Sequence, residues 1–126
     1  MKTSVNERIV ILGISDKPER YSFKAHQKLL DNGFTNQVGV SPKNLSLADI
    51  ELVDQLDKVT KQVHTLTLYI GVERLEPIID QILALSPKRI ITNPGTENPN
   101  LIDRAIEQGI EVVQGCTLVM LDNDQF

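Results

Sequence analysis

The residues that most constrain the fold are 8–32, RIVILGISDKPERYSFKAHQKLLDN, which read as a strand, a glycine-opened loop and a helix. Ile9, Val10, Ile11 and Leu12 form a short continuous apolar run bounded by Arg8 and Gly13, the pattern of a parallel strand buried on both faces. Such a strand belongs at the centre of a sheet. From Tyr21 to Asn32 the apolar residues Phe23, Ala25, Leu29 and Leu30 fall at helical spacing, and Gly33 follows where a left-handed residue ends a helix. The loop between them presents backbone N–H groups at the positive end of that helix, so it can receive an anion. Gly13 allows close backbone approach, and Ser15 and Ser22 add hydroxyls, so a phosphate-bearing ligand is expected here rather than a bare turn. The strict dinucleotide pattern GxGxxG is absent, because the loop has one glycine.

The remaining chain repeats the alternation. Residues 37–40 read as a second strand stopped by Ser41-Pro42-Lys43. Residues 50–53 fit a brief strand and 54–59 a short helical turn, while 63–70, VHTLTLYI, alternate as a β-branched strand closed by Gly71. Leu75, Ile78, Ile79, Ile82 and Leu83 recur at helical spacing, with Pro77 at the first turn or kinking the helix. Residues 88–92 form a strand broken by Asn93-Pro94-Gly95. Asn98 then caps a helix that has Pro99 first and Gly109 at its end, and 110–113 form a last strand. Residues 1–7 are expected to pack lightly, and the apolar patch 118–121 to pack on the sheet edge.

Strands separated by such helices pair in parallel through right-handed crossovers. The expected architecture is α/β: a single domain over residues 1–126, a three-layer, doubly wound, Rossmann-like parallel sheet of about five strands in the order 3-2-1-4-5. Ligands bind such sheets at the strand carboxyl ends where the winding reverses, which sets residues 13–22 opposite 93–95.

Composition narrows the ligand. A net charge of −4 disfavours nucleic acid and anionic membrane as partners. No segment is long and apolar enough for a signal peptide or membrane span, so a cytoplasmic location is expected. One cysteine, Cys116, and two distant histidines exclude an internal disulfide and show no metal motif. At the end of the second strand, where NAD-binding domains place an acid, stand Val40-Ser41-Pro42-Lys43. A lysine there suits a ribose phosphate, as in NADP or coenzyme A. Lys17, Arg20 and Lys24 make the first loop positive. His26 and His64 have no evident partner, Cys116 reads as packing, and no base, nucleophile and oxyanion site can be assembled together.

With these residues in view, the chain resembles the small stand-alone CoA-binding domain proteins, which are similar to the N-terminal nucleotide-binding domain of the succinyl-CoA synthetase α subunit. The resemblance covers nearly the whole chain. It rests on GISDKPERYS after the first strand, Ser41-Pro42-Lys43 after the second, LYIG at 68–71, NPGTENP at 93–99 and GCTLVML at 115–121. It implies that the first loop and the helix N-terminus take a diphosphate, that the second strand end lies beside adenosine, and that the loops after the third and fourth strands wall the pantetheine. Residue by residue this points to Gly13, Ile14, Ser15, Ser22, Val40, Lys43, Ile70, Gly71, Asn93, Pro94 and Gly95. The synthetase's phosphorylatable histidine belongs to a further domain with no counterpart in these residues, so ligase activity is not expected. The expectation is a CoA or acyl-CoA binding protein without catalysis of its own. The alternatives are a small NADP-dependent or acyl-transferring enzyme and an interaction domain with a vestigial nucleotide cleft.

Overall fold

The structure is a computed structural model and describes residues 3–126. Its elements run β1 (Ile9–Leu12), α1 (Tyr21–Asp31), β2 (Gln37–Val40), β3 (Glu51–Val53), β4 (Thr65–Leu68), α2 (Val72–Leu75), α3 (Ile79–Leu85), β5 (Arg89–Thr92), α4 (Pro99–Glu107), β6 (Glu111–Val113) and α5 (Thr117–Asp122). The strands form one parallel sheet in the order 3-2-1-4-5-6, doubly wound with helices on both faces.

β1 lies at the centre, as its unbroken apolar run requires: Ile9, Val10 and Ile11 expose no surface. Successive side chains of a strand point to opposite faces. Ile9 and Ile11 therefore pack with Leu29, Phe34, Met120 and Leu121 on the face covered by α1 and α5. Val10 and Leu12 pack with Leu75, Ile82 and Leu101 on the face covered by α2, α3 and α4.

The local end signals act as the residue types dictate. Gly33 takes φ +90° just past α1. Asn98 Oδ1 accepts the Leu101 N–H at 3.0 Å, capping α4 with Pro99 in its first turn. The same amide donates to the Val72 carbonyl and to Glu76, tying α4 to α2.

Four expectations change. The sheet has six strands rather than about five, the brief strand expected over residues 50–53 being present as Glu51–Val53 and paired with β2 in the register Val38↔Glu51 to Val40↔Val53. The strand expected over 63–70 spans only Thr65–Leu68, and it is this strand that pairs with β1. The loop directly across from Gly13 is thus 69–71, with 94–96 one strand further out. Pro77 sits in a 3₁₀ turn, Glu76–Ile78, that divides the expected single helix into α2 and α3. The segment 118–121 lies within α5, whose Met120 and Leu121 pack on the sheet face beside α1 rather than on the sheet edge.

Of the expected light packing at residues 1–7, Met1 and Lys2 lie outside the described residues. Ser4, Val5 and Asn6 are exposed, whereas Thr3 is buried and donates to the Phe126 carbonyl through both N–H and Oγ1. Arg8, also buried, donates to the Thr60 carbonyl at 2.9 Å, Asn36 Oδ1 at 2.8 Å and Glu51 Oε1 at 3.1 Å. One guanidinium thereby pins the amino ends of β1, β2 and β3.

At the other end of β1, Gly13 takes φ +93°, and a Cβ there would lie 2.7 Å from Ile70 Cγ2 and 2.9 Å from the Tyr69 carbonyl oxygen. Gly13→Ala is expected to destabilise the fold by about 2–4 kcal/mol, the sum of a left-handed penalty and overpacking. Chemical denaturation of both proteins measures it. A loss within error of zero would show that the two loops separate freely.

Candidate functional site

The winding reverses between β1 and β4. The chain leaving β1 turns to α1 on one face and the chain leaving β4 turns to α2 on the other, which opens a crevice over the carboxyl ends of the strands. A cavity of about 740 Å³ occupies this crevice, a volume typical of small-molecule sites. Gly13, Ile14, Ser15, Ser22, Val40, Lys43, Ile70, Gly71, Pro94 and Gly95 all line it.

Asn93 does not line the cavity. It is 3 % exposed, and its side chain is consumed internally. Nδ2 donates to Thr67 Oγ1 at 2.7 Å and to the Leu68 carbonyl at 2.8 Å, while Oδ1 accepts the Thr117 N–H at 2.9 Å. Thr117 Oγ1 lies 2.8 Å from Thr67 Oγ1. Asn93 thus joins β4, β5 and the start of α5 beneath the cavity.

Further walls come from residues that the sequence does not mark as site candidates: Gln55 and Leu56 after β3, Tyr69 after β4, and Arg74, Ile78 and Gln81 on the segment that follows. Arg74 stands three residues after Gly71, one turn into α2. That spacing from a strand-closing glycine is the signal that could have found it.

The cavity is cationic although the molecule is acidic. Lys17, Arg20, Lys43 and Arg74 line it, and none has a carboxylate within ion-pair distance among the described residues. The two acids in the lining are engaged elsewhere: Asp16 accepts the Ser46 N–H at 3.0 Å and Asp54 pairs with Lys58 at 2.7 Å. The Lys58 contact also holds the Asp54 carboxyl below the usual carboxylate range. Arg20 opens α1 with no side-chain cap, so the positive end of that helix meets the cavity beside the nearly buried Ser22. Ser15 Oγ and Ser41 Oγ accept the N–H groups of Lys17 and Lys43, at 3.1 and 3.2 Å, and shape the two loops.

The titratable groups outside this lining do other work. His26 is 1 % exposed. Gln37 donates from Nε2 to the His26 and Phe34 carbonyls, so its Oε1 accepts from His26 Nδ1 at 2.9 Å. His64 precedes β4 at the opposite end of the sheet, where burial and then Arg89 hold its pKa below the usual value. Cys116 is half-buried at the start of α5 and lines a separate groove beside β6. Among the described residues no group of three or more His, Cys, Asp or Glu side chains could hold a metal ion, and no helix is long and apolar enough to cross a membrane.

Burial pushes the Tyr69 phenol up to about 12, against the Thr117 and Thr67 hydroxyls, which lower it. The unfolded chain releases this proton near its ordinary value of 10.0, so the folded state holds the extra proton between pH 10 and about 12. The contribution is fully present below pH 10 and is lost as pH rises through the folded value, up to about 2–3 kcal/mol. Urea titrations across that window are expected to show the decline in the wild type and a flatter profile in Tyr69→Phe. Identical slopes would exclude Tyr69 as the source.

Comparison with known proteins agrees with this geometry. The family model for the CoA binding domain matches residues 7–122. An uncharacterised protein of known crystal structure is 36 % identical, with a TM-score of 0.89 over 96 % of this chain and 98 % of that one. A hypothetical protein from Pyrococcus horikoshii OT3 superposes with a TM-score of 0.84 at 19 % identity, covering 94 % of this chain and 83 % of that one. The dinucleotide-forming acetyl-coenzyme A synthetase 1 of Ca. Korarchaeum cryptofilum, in complex with phosphate and ADP, shares the fold over 88 % of this chain and 26 % of its own, at 17 % identity and a TM-score of 0.72. No curated protein matches the chain. With a crevice at the winding reversal, an uncapped helix start beside Gly13 and a family match spanning nearly all its residues, the chain belongs to the CoA binding domain family.

Proposed function

We propose that the cavity binds coenzyme A or an acyl-CoA, and that the protein is a cytoplasmic carrier or sensor of that ligand without catalysis of its own. The observation that carries this reading is the set of four cations without carboxylate partners around an uncapped helix start, in a chain whose net charge is −4. CoA brings a diphosphate and a ribose 3′-phosphate, and such a surface stabilises phosphates by charge-assisted hydrogen bonds. The diphosphate is assigned to Gly13, Ile14, Ser15 and Ser22, the adenosine and its phosphate to Val40 and Lys43, and the pantetheine to Ile70, Gly71, Pro94 and Gly95. Membership of the CoA binding domain family supports the ligand class. Lys43, where NAD-binding domains carry an acid, argues against NAD. A chain with one half-buried cysteine suits a reducing compartment.

CoA is expected to raise the thermal midpoint more than NAD or NADP at equal concentration, because a ligand of the native state stabilises by mass action. Differential scanning fluorimetry with the three nucleotides measures this. An equal or larger shift with NAD would overturn the assignment.

Lys43 is exposed, so a contact with the 3′-phosphate takes the lower half of the charge-assisted range, and Lys43→Ala is expected to weaken CoA about three- to tenfold. Dephospho-CoA, which lacks that phosphate, should bind wild type and variant alike. Calorimetric titration of both ligands against both proteins closes the cycle. Equal losses for the two ligands would move Lys43 to the diphosphate.

A further inference from the structure

Neighbouring parallel strands are ordinarily joined by a helix that crosses one face of the sheet. β2 and β3 are joined instead by residues 41–50, which form neither helix nor strand. Leu45, Leu47 and Ile50 pack on the cluster that holds Ile9, Ile11 and Ile14, so the segment crosses the same face as α1. A helix fixes its own backbone through its hydrogen-bond ladder, whereas an irregular segment takes its shape from what it touches.

Among the described residues, two hydrogen bonds hold the backbone N–H groups of this segment beyond Ser41. One is local: Ser41 Oγ accepts the Lys43 N–H at 3.2 Å. The other reaches across to a different loop, where Asp16 Oδ2 accepts the Ser46 N–H at 3.0 Å. Asp16 stands between β1 and α1 and lines the cavity together with Lys17, Arg20 and Lys43. A carboxylate among cations ordinarily pairs with one of them. Asp16 has no cation within ion-pair distance among the described residues, and its partner is the backbone of the neighbouring segment. The arrangement ties the segment that carries Lys43 to the loop assigned to the diphosphate, and it leaves the three cations open to phosphate.

We infer that Asp16 is a positioning residue: through Ser46 it holds residues 41–50 so that Lys43 meets the ribose 3′-phosphate while the first loop holds the diphosphate. The inference rests on the CoA reading of the cavity and on its assignment of Lys43. Three residues of chain separate Lys43 from Ser46, a reach of roughly 10 Å when extended, so fixing one narrows where the other can stand. The Asp16 carboxylate also brings a negative charge into an anion site, which by itself disfavours CoA. Its role therefore lies in the acceptor and not in the charge, and substitution separates the two.

Asp16→Asn keeps an acceptor for the Ser46 N–H and removes the charge, and Asp16→Ala removes both. The two variants carry the same net charge, so a difference between them reports the acceptor. Calorimetric titration on the full chain is expected to show CoA about three- to fivefold weaker on Asp16→Ala than on Asp16→Asn. Dephospho-CoA should bind the two variants alike. Amide hydrogen exchange without ligand gives a second readout, with the Ser46 N–H exchanging faster in Asp16→Ala than in Asp16→Asn. Equal CoA affinities for the two variants, an equal gap for both ligands, or equal Ser46 exchange would each overturn the positioning role and leave the CoA reading standing. Failure of the wild type to prefer CoA over dephospho-CoA removes the Lys43 contact and the inference with it. Failure of CoA to bind the wild type overturns the reading of the cavity as a whole.

Discussion

Two chain segments must leave the sheet side by side where β1 and β4 end, one toward each face, and the space between them depends on an absent side chain. Gly13 lets the backbone of the first segment pass hard against Tyr69 and Ile70 of the second. Its positive φ turns the chain sharply away from the ladder. A second close approach lies next to it: a Cβ on Gly39 of β2 would stand 2.8 Å from Ile14 Cγ2, so the residue after Gly13 is seated on a strand that also lacks a side chain. The cavity is thus what remains after three strands have been brought as close as backbone allows. Its floor is closely packed backbone, while its charges stand on the loops and helix starts above.

That floor is held by polar groups as much as by apolar ones. Asn93, Thr67 and Thr117 form one buried network under the cavity, each donor and acceptor committed to a named partner. Arg8 does the corresponding task at the amino ends of β1, β2 and β3. Such networks are costly when broken and directional when intact, so they set the spacing of strands that apolar packing alone would leave free to slide. Arg89 is the exception, with two of its nitrogens bound and one without an acceptor among the described residues.

The parts of this architecture that are legible in the sequence are those with local causes. β1 announces itself because burial on both faces demands an unbroken apolar run, and α4 because Asn98 and Pro99 mark its start in adjacent letters. β3 shows only as the brief strand read over residues 50–53: it is a three-residue edge strand, and Glu51 on it answers Arg8 rather than any pattern in its own neighbourhood. α5 has six residues, too few for periodicity to show which face it covers. Ten of the eleven residues singled out in the sequence line the cavity, because loops at strand ends carry their own punctuation. Asn93 has the letters of a turn, but its amide spans β4, β5 and α5, which composition cannot reveal. Arg74 is inconspicuous for the converse reason, since a charged residue in a short helix reads as a solvated face until the cavity beside it is seen.

The covering of β1 also has a temporal consequence. Its two faces are closed by elements made at different times: Val10 and Leu12 by residues between 56 and 110, Ile9 and Ile11 in large part by Met120, Leu121 and Phe126. A ribosome delivers β1 first and these last residues more than a hundred positions later. Throughout that interval the most apolar strand of the protein has one side without its final cover, and its partner β4 arrives only after β2 and β3 have been made. The sheet therefore cannot be completed vectorially from its amino end. Until then the nascent chain carries an apolar strand with one face uncovered, the kind of transiently exposed surface that is prone to aggregate.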